Sequence, residues 1–119
     1  MTCVTESRFE MSMTSVKLIV AYPQPKDVEA FDAVYQNEHV PMAIAKLAGK
    51  SKIVAAKMVQ SPQGKPPFYC IAEVHFPSME ALQRCAESDG GKETLVHAVK
   101  ISSGGPPVVM IAEEATFTF

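Results

Sequence analysis

Apolar positions along the chain follow two rhythms, a strand-like run or alternation and a helix-like spacing of three and four. Val16-Lys17-Leu18-Ile19-Val20-Ala21-Tyr22 is β-branched and apolar and is stopped by Pro23 and Pro25, which predicts a buried first strand. Asp27 then stands where an N-cap belongs, and Val28, Phe31, Val34 and Tyr35 recur at helical spacing. Pro41 is expected to break or kink that helix near Val40, after which Met42 to Ala48 resumes it and Gly49 stops it. Lys52 to Gln60 and Phe68 to Phe76 read as strands of a hairpin, joined by a Gly- and Pro-rich segment that continues neither. Ser78 caps a second helix carrying Met79, Leu82, Cys85 and Ala86, which is expected to end near Ser88-Asp89-Gly90-Gly91. Lys92 to Val99 adds a short helical turn, and a Ser-, Gly- and Pro-rich loop leads to a last strand, Val108 to Glu113.

The order β-α-β-β-α-β predicts an α+β, ferredoxin-like unit with a four-stranded antiparallel sheet and its helices on one face. In the third strand Phe68, Cys70, Ala72, Val74 and Phe76 point one way and suit the helix-covered face. The opposite set is Tyr69, Ile71, Glu73 and His75, a mixture poorly suited to open water. Ile19, Ala21, Val54 and Met58 add apolar surface beyond what two helices cover. A second copy is therefore expected to pack sheet against sheet, closing a dimeric α+β barrel around an internal cavity. The alternating tail Thr116-Phe117-Thr118-Phe119 reads as a strand-like segment at that seam.

Composition narrows the field. A chain of 119 residues, 47% hydrophobic and 20% charged, can bury a core as a single domain without disulfides or metal. Residues 1 to 15 show no sustained period and read as a flexible N-terminal extension ahead of a domain spanning 16 to 119. With 11 basic against 13 acidic residues and no basic block, neither nucleic acid nor a membrane surface is an expected partner. No apolar run reaches the roughly 18 residues of a membrane span, and no secretory leader is evident, so a cytoplasmic location is expected. Cys3, Cys70 and Cys85 lack metal-ligand or disulfide-scaffold spacing, and the latter two read as reduced core residues.

Candidate chemistry concentrates in Phe31-Asp32-Ala33-Val34-Tyr35-Gln36-Asn37-Glu38-His39-Val40-Pro41-Met42. Phe31, Tyr35 and His39 are four apart and share a helical face. His39 is the first candidate for acid/base catalysis, because imidazole exchanges protons near neutral pH, with Tyr35 to orient it. The plainer alternative is a histidine at a helix C-terminus, bonded to a carbonyl. Tyr69, Glu73 and His75 are expected to share the uncovered face with a bound ligand, or to form a hydrogen-bonded cluster at a dimer seam. His97 reads as a surface or packing residue. The three histidines show no metal-ligand spacing, so no metal is expected.

These stretches resemble the EthD family, named for ethyl tert-butyl ether degradation, over approximately residues 16 to 114. The resemblance rests on Val16 to Val20 with the proline pair, on Tyr35-Gln36-Asn37-Glu38-His39-Val40-Pro41-Met42, on Phe68 to Phe76, and on Val108 to Glu113; Tyr-x-x-x-His-x-Pro is its most specific element. It implies a homodimeric α+β barrel, with the family's recurrent histidine at His39 and its tyrosine at Tyr35. For function it implies an enzyme or auxiliary factor in the oxidative degradation of a small apolar compound, working beside an oxygenase system. Relatives on the same barrel include muconolactone isomerases, polyketide cyclases, cofactor-free monooxygenases and haem-binding peroxidases, so the fold does not choose the chemistry. A cofactor-independent isomerase or cyclase and a non-catalytic dimeric ligand-binding protein are the alternatives. No cofactor is expected; haem held through His39 or His75 is disfavoured for want of an attachment motif.

Overall fold

A computed structural model describes residues 15–119, so all but the last residue of the expected N-terminal extension, Cys3 included, lies outside the described residues. Strand β1 (Val16–Pro23) runs through the middle of a four-stranded sheet. It pairs antiparallel with β3 (Phe68–Phe76) on one side and β4 (Val108–Glu113) on the other. Strand β2 (Lys52–Lys57) lies beyond β3, giving the order β2-β3-β1-β4 of a ferredoxin-like fold. The helices are α1 (Val28–Val34), α2 (Val40–Lys46), α3 (Met79–Glu87) and α4 (Asp89–Ile101). The Asp27 carboxylate accepts the Ala30 N–H and the Ser78 hydroxyl accepts the Ala81 N–H, so both expected caps form.

All four helices serve the same face of the sheet. Val20, Tyr22 and Cys70 pack with Phe31, Tyr35 and Ala98 toward one end, and Val16, Val74 and Phe76 pack with Leu47, Leu82 and Cys85 toward the other. Cys70 and Cys85 are buried free thiols within these clusters. The opposite face follows the pleat: Lys17, Ile19 and Ala21 stand beside His75, Glu73 and Ile71 on β3 and beside Ala112, Met110 and Val108 on β4.

Pro41 does not interrupt the helical run. The chain widens into a π-turn over Tyr35–His39, where the Val40 N–H reaches back five residues to the Tyr35 carbonyl, and then continues as α2. Proline has no N–H, and its ring would meet the carbonyl four residues earlier; a widened turn relieves that contact without a break. His39 consequently sits inside a continuous helical run, 7% exposed, and not at a frayed end.

The second helix ends at Glu87 with Ser88 as its cap, as expected, but Gly90-Gly91 lies in the first turn of another helix, and the expected short turn at Lys92 to Val99 is the 13-residue α4. Ser88 serves both helices: its hydroxyl donates to the Cys85 carbonyl that closes α3 and accepts the Gly91 N–H that opens α4. The glycines permit close backbone approach. A Cβ on Gly90 would lie 2.4 Å from the Lys46 carbonyl oxygen, and one on Gly91 would lie 2.0 Å from that of Cys85.

Two further corrections concern strands. β2 ends at Lys57, short of Gln60, and residues 114–119 form no strand, although the Glu114 N–H bonds the Ser15 carbonyl. Tyr69 leaves the face assigned to it by alternation. Tyr22 pairs with Cys70 but Pro23 pairs with Phe68, so Tyr69 is the extra residue of a bulge. That bulge turns its ring to the helix side, 5.8 Å from the Phe31 ring and nearly perpendicular to it.

Candidate active site between sheet and helices

The widened turn aligns Phe31, Tyr35 and His39 as a ladder of nearly parallel rings, with centroids 5.6 and 5.7 Å apart. Tyr22, on the helix-facing side of β1, meets all three edge-on at 5.2, 5.8 and 6.4 Å. These contacts fix the His39 ring by packing on two sides. The cavity it borders lies between the sheet and the helices of a single chain, and not between two sheets. Leu18, Val20 and Val74 line it from the sheet, and Val40, Ala43 and Ala98 from the helices. Its volume is about 60 Å³, below the roughly 300 to 1,000 Å³ usual for small-molecule sites, so only a compact ligand fits without movement of the walls.

Both nitrogens of His39 are engaged. Nε2 lies 3.3 Å from the Tyr22 hydroxyl, and Nδ1 lies 2.9 Å from Nδ1 of His97, brought in by α4. The two imidazole planes are 9° apart with centroids at 5.1 Å, the separation that an in-plane hydrogen bond between the Nδ1 atoms requires; the rings meet edge to edge. Burial, with His97 adding to it, pushes the His39 pKa down to about 4, so its neutral form prevails at pH 7. Burial, reinforced by Tyr35 and Cys70, pushes the Tyr22 phenol upward. Burial, with Cys70 adding to it, does the same to Tyr35. The site thus presents uncharged proton donors and acceptors to an apolar chamber.

The expected residues fall into two groups. Phe31, Tyr35 and His39 come together as the spacing requires, and Tyr69 joins their side of the sheet. The Tyr69 hydroxyl is 2.9 and 3.0 Å from the two Asp32 carboxylate oxygens, while Lys57 lies 3.3 Å from Asp32 and above the Tyr69 ring. This polar cluster borders a second recess, on which Tyr35 also opens. Glu73 and His75 are on the opposite face of the sheet and do not meet His39. There Glu73 lies 3.1 Å from Lys17 and 3.2 Å from His75 Nε2, while Glu114 approaches His75 Nδ1 at 3.5 Å. Burial works against the Glu73 carboxylate, but Lys17 and His75 outweigh it and hold its pKa below the ordinary value. Among the described residues no group of three or more His, Cys, Asp or Glu side chains is placed to hold a metal ion, and no helix is long and apolar enough to cross a membrane.

Sequence reasoning missed Tyr22 and His97. Tyr22 shares the alternation of Val16, Leu18 and Val20, which marks it as facing the helices. The buried Thr94, Ala98 and Ile101 are spaced so that His97 falls on their side of the helix, a pattern visible only once the segment is recognised as a full helix.

Comparison with known proteins agrees with this architecture. The EthD domain model matches residues 23–100. An uncharacterized 11.0 kDa protein of the thcB-thcC intergenic region of Rhodococcus erythropolis is 27% identical over 99 residues, covering 82% of this chain and 94% of that protein. The crystal structure of an ethyl tert-butyl ether degradation (EthD) family protein from Bacillus halodurans is 37% identical, covers 84% of this chain and 98% of its own, and superimposes with a TM-score of 0.77. A protein of Bacteroides fragilis described as dimeric, of unknown function and ferredoxin-like, shares the fold at 17% identity and a TM-score of 0.57, with 84% and 96% of the two chains covered. The matched segment carries Tyr35, His39 and His97 and spans most of the elements that build the cavity, and on this evidence the chain belongs to the EthD family.

Proposed function

We propose that this protein is a small-molecule enzyme that binds a compact, mostly apolar organic compound in the cavity between sheet and helices and moves a proton on it through His39. The observation that carries this reading is a neutral histidine at the wall of an apolar chamber, hydrogen-bonded on one side to the Tyr22 phenol and on the other to His97. Such a site supports acid/base steps of the isomerase or cyclase kind, which need no bound cofactor. An iron ligand at His39 would cost one of its two hydrogen bonds, which weighs against haem. The name of the Bacillus halodurans relative, which refers to ethyl tert-butyl ether, supports a place in the breakdown of small apolar compounds.

The test begins with a thermal-shift screen against small ketones, lactones and phenols, followed by turnover assays on those that bind. His39→Ala is expected to lower turnover by about 10²- to 10⁴-fold with the assembly intact. Unchanged turnover would remove His39 from the mechanism, and binding without turnover of any compound would favour a carrier or accessory role.

The functional unit in this proposal is a homodimer in which the open sheet face of one chain covers that of another. Val54, Val108 and Met110 are each about 40% exposed or more on that face, and the Bacteroides fragilis neighbour is described as dimeric. Met110→Asp is expected to give a folded monomer in sedimentation velocity; a persistent dimer would place the interface elsewhere.

A further inference from the structure

His39 raises a chemical difficulty. A ring whose protonated form is so disfavoured is a poor resting place for a proton, and the Tyr22 phenol is a poor resting place for a negative charge. Both groups nonetheless line the cavity. The three contacts around them suggest a route that leaves neither charged. Only one proton fits between the two Nδ1 atoms 2.9 Å apart, so one ring donates and the other accepts. The outer nitrogen of His97, Nε2, lies 3.8 Å from the Glu38 carboxylate, too far for a direct hydrogen bond but close enough to favour a proton on that nitrogen. With Nε2 protonated, Nδ1 of neutral His97 is the acceptor. His39 must then carry its proton on Nδ1, which leaves its Nε2 to accept from the Tyr22 hydroxyl.

We propose that Tyr22, His39 and His97 form a proton relay from the cavity toward Glu38, in which the Tyr22 oxygen takes the proton from the bound molecule and His97 and Glu38 are positioning residues. The proposal rests on the acid/base reading of His39 and extends it to a direction and a substrate class. The ligand is one with an ionisable hydroxyl or a C–H bond next to a carbonyl. Its proton passes to the Tyr22 oxygen as the Tyr22 proton passes to His39 Nε2. The His39 Nδ1 proton passes to His97 Nδ1, and the His97 Nε2 proton leaves to water beside Glu38. One proton has left the ligand, which keeps the electron pair, and one has entered solvent. Tyr22 and both imidazoles end neutral, with each ring in its other tautomer, and the reverse sequence returns a proton to the ligand. Tyr35, on the same helical run, stacks on the His39 ring but hydrogen-bonds neither of its nitrogens, which Tyr22 and His97 occupy.

The relay makes a prediction that needs no ligand. Long-range nitrogen–proton NMR on the full chain at neutral pH is expected to show His39 as the Nδ1–H tautomer and His97 as the Nε2–H tautomer, both neutral. His97→Phe is expected to lose the Nδ1–H tautomer of His39, and His97→Gln, which keeps an acceptor at that point, to restore it. Glu38→Gln, at an exposed position, is expected to shift His97 away from the Nε2–H form with the fold unchanged. An Nε2–H His39 in the wild-type chain would overturn the relay, as would a tautomer indifferent to His97→Phe in a chain whose near-ultraviolet circular dichroism is native. Turnover that depends on His39 while its tautomer is the opposite one defeats the relay and leaves the acid/base reading standing. The assigned tautomers with turnover indifferent to His39→Ala defeat that reading instead.

Discussion

Acidification from about pH 7 to about pH 4 is expected to cost the fold roughly 3 kcal/mol through His39 alone. The pKa of this ring falls from the ordinary 6.5 to about 4 on folding, because burial, and then His97, penalise its charged form. Between those values the unfolded chain holds more protons than the folded one, so stability rises with pH across that window. The contribution is fully present above the unfolded value and is lost as the pH falls toward the folded one, below which the slope vanishes. The groups facing the ring are Tyr22 from β1, Tyr35 on the same helical run and His97 from α4, with Glu38 beyond His97, and none of the hydrogen-bonding partners is a carboxylate that could stabilise an imidazolium directly. Glu73, on the other face, is depressed below its ordinary value and adds acid sensitivity only at the low end of the window. Urea unfolding at fixed protein concentration, followed across this range, measures the slope. His39→Gln is expected to flatten it; a wild-type slope retained in that variant would place the sensitivity at other groups.

Gly91→Ala is expected to destabilise the chain by roughly 3 kcal/mol, against the usual gain of about 1 kcal/mol for alanine over glycine inside an open helix. The new Cβ would sit 2.0 Å from the Cys85 carbonyl oxygen and 2.9 Å from its carbonyl carbon, both backbone atoms held by the Ser88 corner. Relief would require α4 to move off α3, and α4 carries His97, the partner of His39, and Ala98 of the cavity wall. The urea midpoint is expected to fall and the His39–His97 contact to loosen. A variant as stable as the wild type would show that the corner yields at little cost.

The element order was legible because the core-facing residues of β1 and β3 repeat every second position and those of the helices every third and fourth, which are properties of neighbouring residues. The family was legible for the same reason: Tyr35, His39 and Pro41 are close in sequence and share one helical run. Errors arose where a residue serves a distant partner. Gly90-Gly91 reads as a helix end, and α3 does stop just before it, but the pair also opens α4, where it accommodates the Lys46 and Cys85 carbonyls, neither of which is adjacent to it. Tyr69 obeys alternation until a bulge set by the Pro23 pairing turns it over. Pro41 looks like a break because the relief of its clash through a π-turn depends on neighbours that hold the helix together.

By itself the sequence determined the βαββαβ order, the helix-covered and open faces of the sheet, the family, and the alignment of Phe31, Tyr35 and His39. All of these follow from backbone periodicity and steric preference, which act over a few residues. Only the tertiary structure decided what His39 touches. Tyr22 lies 17 positions before it and His97 58 positions after it, and no local rule joins them. Crossing of β1 and α4 over the same stretch of the widened helix brings the three side chains to hydrogen-bonding distance. The same crossing separates Glu73 and His75 from them by the thickness of the sheet.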